Sequence, residues 1–122
     1  MLAHGHSVEN RLFWKGLRGF EPEAVGPWID AARGARVTLD IGANTGLYAL
    51  LAASAGGTAK VHAFEPVARI AELARRNIAL NGGGVRLHEV AGGNADGTAT
   101  LHDPGGDMCY SASLVSGFRP HV

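Results

Sequence analysis

Apolar and polar positions follow two rhythms along this chain, and they divide it into elements. Residues 7–20 draw apolar bulk from Leu12, Phe13, Trp14, Leu17 and Phe20, and Gly16 and Gly19 interrupt it, which predicts one or two short helices with a break. In the stretch EPEAVGPWIDAARGA, Val25, Trp28, Ile29 and Ala32 recur at helical spacing. Pro22 suits the first turn of that helix and Gly34 its end, while Gly26-Pro27 in the middle predicts a kink or two short turns. Val37–Ile41, reading VTLDI, is a short β-branched and apolar run of the kind buried on both faces of a parallel sheet. Residues 42–46 form a turn, residues 47–55 (LYALLAASA) a helix apolar nearly all round, and Gly56-Gly57 its stop.

The alternation then repeats. Lys60–Phe64 (KVHAF) reads as a second strand, followed at once by Glu65-Pro66. Residues 67–81 form a longer helix whose inner stripe is Val67, Ile70, Ala71, Ala74 and Ile78; Glu72, Arg75, Arg76 and Asn77 fall outside it. Residues 85–90 (VRLHEV) predict a third strand, and residues 98–102 (TATLH) alternate like a fourth, short and half-exposed. From Asp103 onward the chain is rich in Gly, Pro and Ser and reads as loop, and no internal repeat is present. Strands that alternate with helices imply an α/β fold with a parallel sheet and right-handed crossovers. Residues 1–34 are then a helical segment, and residues 35–122 hold the sheet.

Composition excludes several classes. The chain has 122 residues, of which 46% are hydrophobic and 18% charged, as in folded soluble domains. The net charge is zero and the pI is about 7.0, which leaves no basic footprint for nucleic acid. Arg75-Arg76 reads as a solvated helix face. No apolar run approaches the roughly 20 residues that span a bilayer, and the first residues lack a signal-peptide pattern, so a cytoplasmic protein is expected. Cys109 has no partner for an internal disulfide and no metal-ligand spacing around it, and His4 and His6 fall near an end expected to fray.

The candidate chemistry lies at two strand ends. One is the turn LDIGANTG, with Asp40, Gly42, Ala43, Asn44, Thr45 and Gly46; the other is Glu65 after the second strand. With one helix between them, both acids fall on the same rim of the sheet, where ligands of such folds bind. Glycines allow the sharp turn and a close ligand approach. The start of the following helix is expected to offer free N–H groups to a carboxylate or phosphate, and Glu65 is placed to accept from ribose hydroxyls. A dinucleotide would require G-x-G-x-x-G, but counted from Gly42 the second and third glycines are replaced by Asn44 and Leu47. Asp40 would also repel a pyrophosphate. S-adenosylmethionine carries an ammonium that Asp40 can favour, a carboxylate and a ribose, and suits the pattern better than NAD. A purely structural glycine turn is the plain alternative.

The segments LDIGANTGLYALLAA and VHAFEPVARIAELARRNIALNG together resemble the FkbM-type methyltransferases, a branch of the class I S-adenosylmethionine-dependent enzymes. The turn, the FEP after the second strand, the NIALN helix ending, and Gly97 to Leu101 followed by Ser111, Ser113 and Leu114 keep the family's order over roughly residues 20–115. The resemblance implies a Rossmann-like class I methyltransferase fold, here truncated, with about three parallel strands flanked by helices plus a short extra strand. It implies that Asp40, Gly42, Ala43, Asn44 and Gly46 surround the methionine part of the cofactor. Glu65 would hold the ribose hydroxyls, Pro66 and Val67 would begin the adenine wall, and Ala91 and Gly92 would lie near the adenine or the transfer cleft. The family's acid after the third strand is displaced here, with Asn94 first and the acid only at Asp96.

The implied reaction is methyl transfer to a hydroxyl oxygen of a sugar or secondary metabolite. Family members continue into further strands, so this chain would hold the cofactor-binding half. The acceptor pocket and general base would then lie in the other half, and the first strand's edge would be bare and prone to self-association. His88, Glu89 and His102 are candidate bases by residue type only. The expected partner is a small hydroxylated molecule, with no nucleic acid, membrane or metal. Two alternatives stay open: a non-catalytic nucleoside-binding fragment or remnant, and, less favoured, an NAD-dependent oxidoreductase.

Overall fold

Three runs that the sequence marks as strands form one sheet. The computed structural model describes residues 7–57 and 60–103. Its elements in chain order are α1 (Ser7–Lys15), a 3₁₀ turn (Gly16–Gly19), α2 (Pro22–Gly34), β1 (Val37–Ile41), α3 (Leu47–Ser54), β2 (Lys60–Phe64), α4 (Ala68–Leu80) and β3 (Val85–His88). The strands are parallel in the order β1-β2-β3. The register sets Asp40 beside Ala63 and Ile41 beside Phe64. Each strand pair is linked through a helix, so the described residues form a small Rossmann-like α/β fold. His4, His6, Cys109 and the Ser111, Ser113 and Leu114 segment lie outside the described residues.

Parallel register places alternate residues on opposite faces. One face carries Thr38, Asp40, Val61 and Ala63, all buried, and α3 packs across all three strands. The core there is built from small side chains, with Ala32, Ala43, Ala49, Ala52 and Ala63 around Val61. Alanine at these positions lets helix and sheet backbones approach closely. The stripe expected on α4 is the observed one: Ile70, Ala71 and Ala74 are fully buried, and Val67 and Ile78 nearly so. Burying a side chain of isoleucine size contributes about 1.5–3 kcal/mol.

The structure departs from the sequence expectations at four places. β1 is not buried on both faces: Val37, Leu39 and Ile41 are 53%, 52% and 66% exposed. An apolar run tells of strand propensity and not of which faces are covered. α2 is one continuous helix and not two short turns, although Pro27 within it lacks the N–H that would bond the Glu23 carbonyl. Packing holds it, since Val25 and Ala32 are buried and Trp28 Nε1 donates to the Tyr48 carbonyl at 2.8 Å. β3 ends at His88, two residues short. The strand expected at residues 98–102 does not form among the described residues; Leu101 instead packs on Val67 and Ile70.

Candidate functional site

The turn after β1 is fixed by three residues in the left-handed region: Gly42 at φ 78°, Asn44 at φ 52° and Gly46 at φ 92°. Glycine adopts this backbone without strain, and asparagine is among the few other residues that tolerate it. Gly46 meets α4 closely; a Cβ there would stand 3.6 Å from the Ala74 Cβ, while one on Gly42 would face open space.

The turn's amides are already used. Gly42 and Ala43 both donate to the Phe64 carbonyl at 2.9 Å, and Gly46 donates to the Ala43 carbonyl at 2.8 Å. Asn44 N–H donates to Glu65 Oε2 at 3.0 Å, and Thr45 N–H to Asn44 Oδ1 at 2.7 Å. All five donors from Gly42 to Gly46 are thus spent inside the protein; at the start of α3, where free N–H groups are expected, the Ala49 amide serves Asp40 and those of Leu47 and Tyr48 have no acceptor among the described residues.

Two side chains brace this geometry. Glu65 is 5% exposed. Besides Asn44 it accepts from Val67 N–H at 3.0 Å through Oε1, so one carboxylate ties the first turn to the start of α4. Asn77, which the helical pattern puts outside the stripe, is 1% exposed and donates through Nδ2 to the Thr45 carbonyl at 2.9 Å. A polar side chain at the margin of an apolar stripe reads as exposed unless its partner is known; here the partner is a carbonyl of the turn.

Asp40 is the chemically unusual group. It is 9% exposed, and its Oδ2 has no hydrogen-bond partner. Burial raises its pKa above the ordinary carboxylate value; the Ala49 amide in the first turn of α3 pulls it down, and the nearby Glu65 charge raises it further. A buried carboxylate oxygen with nothing to accept from is costly unless a ligand supplies a donor.

Asp40 lines a cavity of about 600 Å³ with Ile41 at the end of β1, Gly42, Ala43, Asn44 and Thr45 from the turn, Leu47 and Tyr48 from α3, and Val8, Arg11, Phe20 and Glu21 from the N-terminal segment. Of the residues proposed from sequence, Asp40, Gly42, Ala43 and Asn44 thus share one cavity. Gly46, Glu65, Pro66 and Ala91 do not line it: Gly46 and Glu65 are buried behind the turn, Pro66 is half-buried, and Ala91 is exposed in the loop after β3. Gly92, next to Ala91, approaches Ile41 closely at the same rim.

Arg11, Glu21 and Tyr48 escaped the sequence reading. Glu21 is held at φ 40° just before α2, and the Tyr48 hydroxyl donates to its Oε2 at 2.5 Å. Burial and this carboxylate push the Tyr48 pKa up to about 12. Pro22 after an acid marks a helix start, but nothing in the sequence brings residue 21 to residue 48. A second cavity of about 610 Å³, with Leu12, Leu17, Leu50 and Gly82 among its lining, carries no charged side chain and does not suit a charged cofactor.

The candidate bases find other uses. His88 stacks on Phe64 and meets His62 with Nδ1 and Nε2 2.9 Å apart, on the sheet face opposite Asp40. Glu89 pairs with Arg75 at 3.2 Å, and Arg75 and Arg76 both bind Glu72 on an exposed face of α4. His102 is exposed. Among the described residues no cluster of three or more metal-ligating side chains forms, and no helix is long and apolar enough to cross a membrane.

No family model and no curated protein matches the chain. Among solved structures it is similar to a SAM-dependent methyltransferase from Agrobacterium tumefaciens, with a TM-score of 0.49 and 21% identity over 57% of this chain and 23% of that one. It is similar also to the YcgJ protein from Bacillus subtilis, with a TM-score of 0.49 and 23% identity over 58% of this chain and 31% of that one. The chain spans less than a third of either protein's length.

Proposed function

We propose that the chain binds S-adenosylmethionine at the rim of its sheet and serves methyl transfer of the FkbM type, to a hydroxyl oxygen of a sugar or secondary metabolite in the cytoplasm. The observation that carries this reading is Asp40, a lining residue of the cavity whose buried Oδ2 has no partner, beside a turn whose five amides are all spent. Such a site favours a ligand with a cationic donor over a pyrophosphate, which the Asp40 charge would repel. The residues present therefore fit an ammonium-bearing nucleoside better than a dinucleotide.

Asp40 would hold the ammonium. Glu65 would take the ribose hydroxyls through the lone pairs that its bonds to Asn44 and Val67 leave, since each carboxylate oxygen accepts more than one bond. Pro66 and Ala91 would flank the adenine. When bound, the cofactor supplies an activated methyl group on a sulfonium. The chain's contribution is to fix that group in place, since alignment for in-line attack is a large source of rate.

Calorimetry with S-adenosylhomocysteine and NADH tests the reading. Binding of S-adenosylhomocysteine in preference to NADH, lost in Asp40→Asn, is the expected result. Preference for NADH would establish the oxidoreductase alternative, and no binding of either would leave a structural remnant.

A further inference from the structure

We propose that α1 supplies Arg11 as the partner of the carboxylate in an α-amino-acid group held in the rim cavity, with Asp40 on its ammonium. This rests on the S-adenosylmethionine reading and names the side chains that hold the methionine end of that cofactor.

An α-amino acid needs one anion and one cation a few ångströms apart. The anion is Asp40, a residue of the cavity lining that is more than nine-tenths buried and whose Oδ2 has no hydrogen-bond partner. The five amides from Gly42 to Gly46 donate elsewhere and the Ala49 amide acts on Asp40 itself, which leaves only the uncharged Leu47 and Tyr48 amides of α3 as backbone donors at the cavity, and no cation among them. Arg11 is the only cationic side chain among the described residues that line the cavity, and it forms no ion pair with another described residue. Its fork of donors matches a carboxylate in two bonds at once.

The charge balance agrees. The lining carries two acids, Asp40 and Glu21, against the one base. The methionine end of a sulfonium ligand carries an ammonium and a sulfonium against one carboxylate. Glu21 is fixed in its place by the Tyr48 hydroxyl and lines the same cavity as Arg11. Cavity and ligand are therefore complementary in number and sign.

Calorimetry on the full chain with two nucleosides isolates the claim. S-adenosylhomocysteine carries the amino-acid end, and 5′-methylthioadenosine lacks it. Arg11→Met should weaken S-adenosylhomocysteine about tenfold or more, the loss of a charge-assisted bond, and leave 5′-methylthioadenosine unchanged. Arg11→Lys should keep part of the affinity. Arg11 is exposed, so unchanged circular dichroism melting should show that neither variant acts through folding. Equal weakening of both ligands, or no change in either, overturns the assignment. So does a wild-type protein that binds both nucleosides equally well. If the wild type binds neither, the cofactor reading has failed, and this one falls with it.

Discussion

The Glu65 carboxylate accepts the Asn44 amide at 3.0 Å and, through its other oxygen, the Val67 amide at 3.0 Å. One buried acid from the end of β2 thus holds the left-handed residue of the β1–α3 turn and the first residue before α4 at once. Removing it strands one buried and one half-buried backbone donor. Glu65→Ala should cost about 3 kcal/mol in urea unfolding and Glu65→Gln roughly half of that, because the amide keeps one good acceptor. Equal stability of all three proteins would show that water replaces both bonds.

Asn77 completes the brace from the α4 side, with Nδ2 2.9 Å from the Thr45 carbonyl. The site is 1% exposed, so Asn77→Leu fills the volume but leaves that carbonyl unpaired. We expect a loss of about 1–3 kcal/mol in the same unfolding measurement. Asn77→Asp should cost more, because it buries a charge against a carbonyl oxygen.

The two turn glycines separate strain from access. Gly46 and Gly42 both have positive φ, so alanine at either should cost about 1–2 kcal/mol. A methyl on Gly46 would rest against Ala74 away from the cavity, whereas one on Gly42 enters open space at its lining. Gly42→Ala should therefore weaken S-adenosylhomocysteine binding in calorimetry more than Gly46→Ala does, at equal loss of stability.

Much of this was legible in the residues. Strand runs, helix stripe and turn glycines are local signals, and they placed β1, β2, α4 and the Asp40–Gly46 turn. The uncovered face of β1 was not legible, because composition cannot say which faces receive a helix. Nor was the use of the turn amides, which depends on Phe64 and Glu65 arriving from another strand. Asn77 and Arg11 were missed for one reason: each is polar at a helical position where solvent is the default partner. Only the tertiary fold brings Thr45 to the first and the cavity to the second.

Asp40 carries a pH signature. Burial raises its pKa in the folded state, so ionising it costs stability. That penalty is fully present above the raised value and is relieved as pH falls toward the ordinary value of 3.8. Asp40→Asn should thus melt higher than wild type at neutral pH, and the gap should shrink as pH falls toward 4. The same variant should lose S-adenosylhomocysteine affinity, so stability and binding move in opposite directions. A parallel fall of both would mean that the Ala49 amide's bond to the carboxylate outweighs the cost of burial.

The face of β1 away from α3 gives the last prediction. Val37, Leu39 and Ile41 are each more than half exposed, and β1 pairs only with β2 among the described residues. An apolar strand at a sheet edge is a template for association, and contiguous apolar surface of this kind marks an interaction site. We expect the average mass in sedimentation equilibrium to rise with protein concentration. The double substitution Val37→Lys and Leu39→Lys should suppress that rise. Both side chains point away from the buried Thr38 and Asp40 and neither lines the rim cavity, so the change should leave the melting temperature and S-adenosylhomocysteine binding close to wild type. A monomer at every concentration would show that the exposed face alone does not drive association, and retained association in the double variant would move the contact elsewhere, with the exposed Phe13 and Trp14 of α1 the next surface to test.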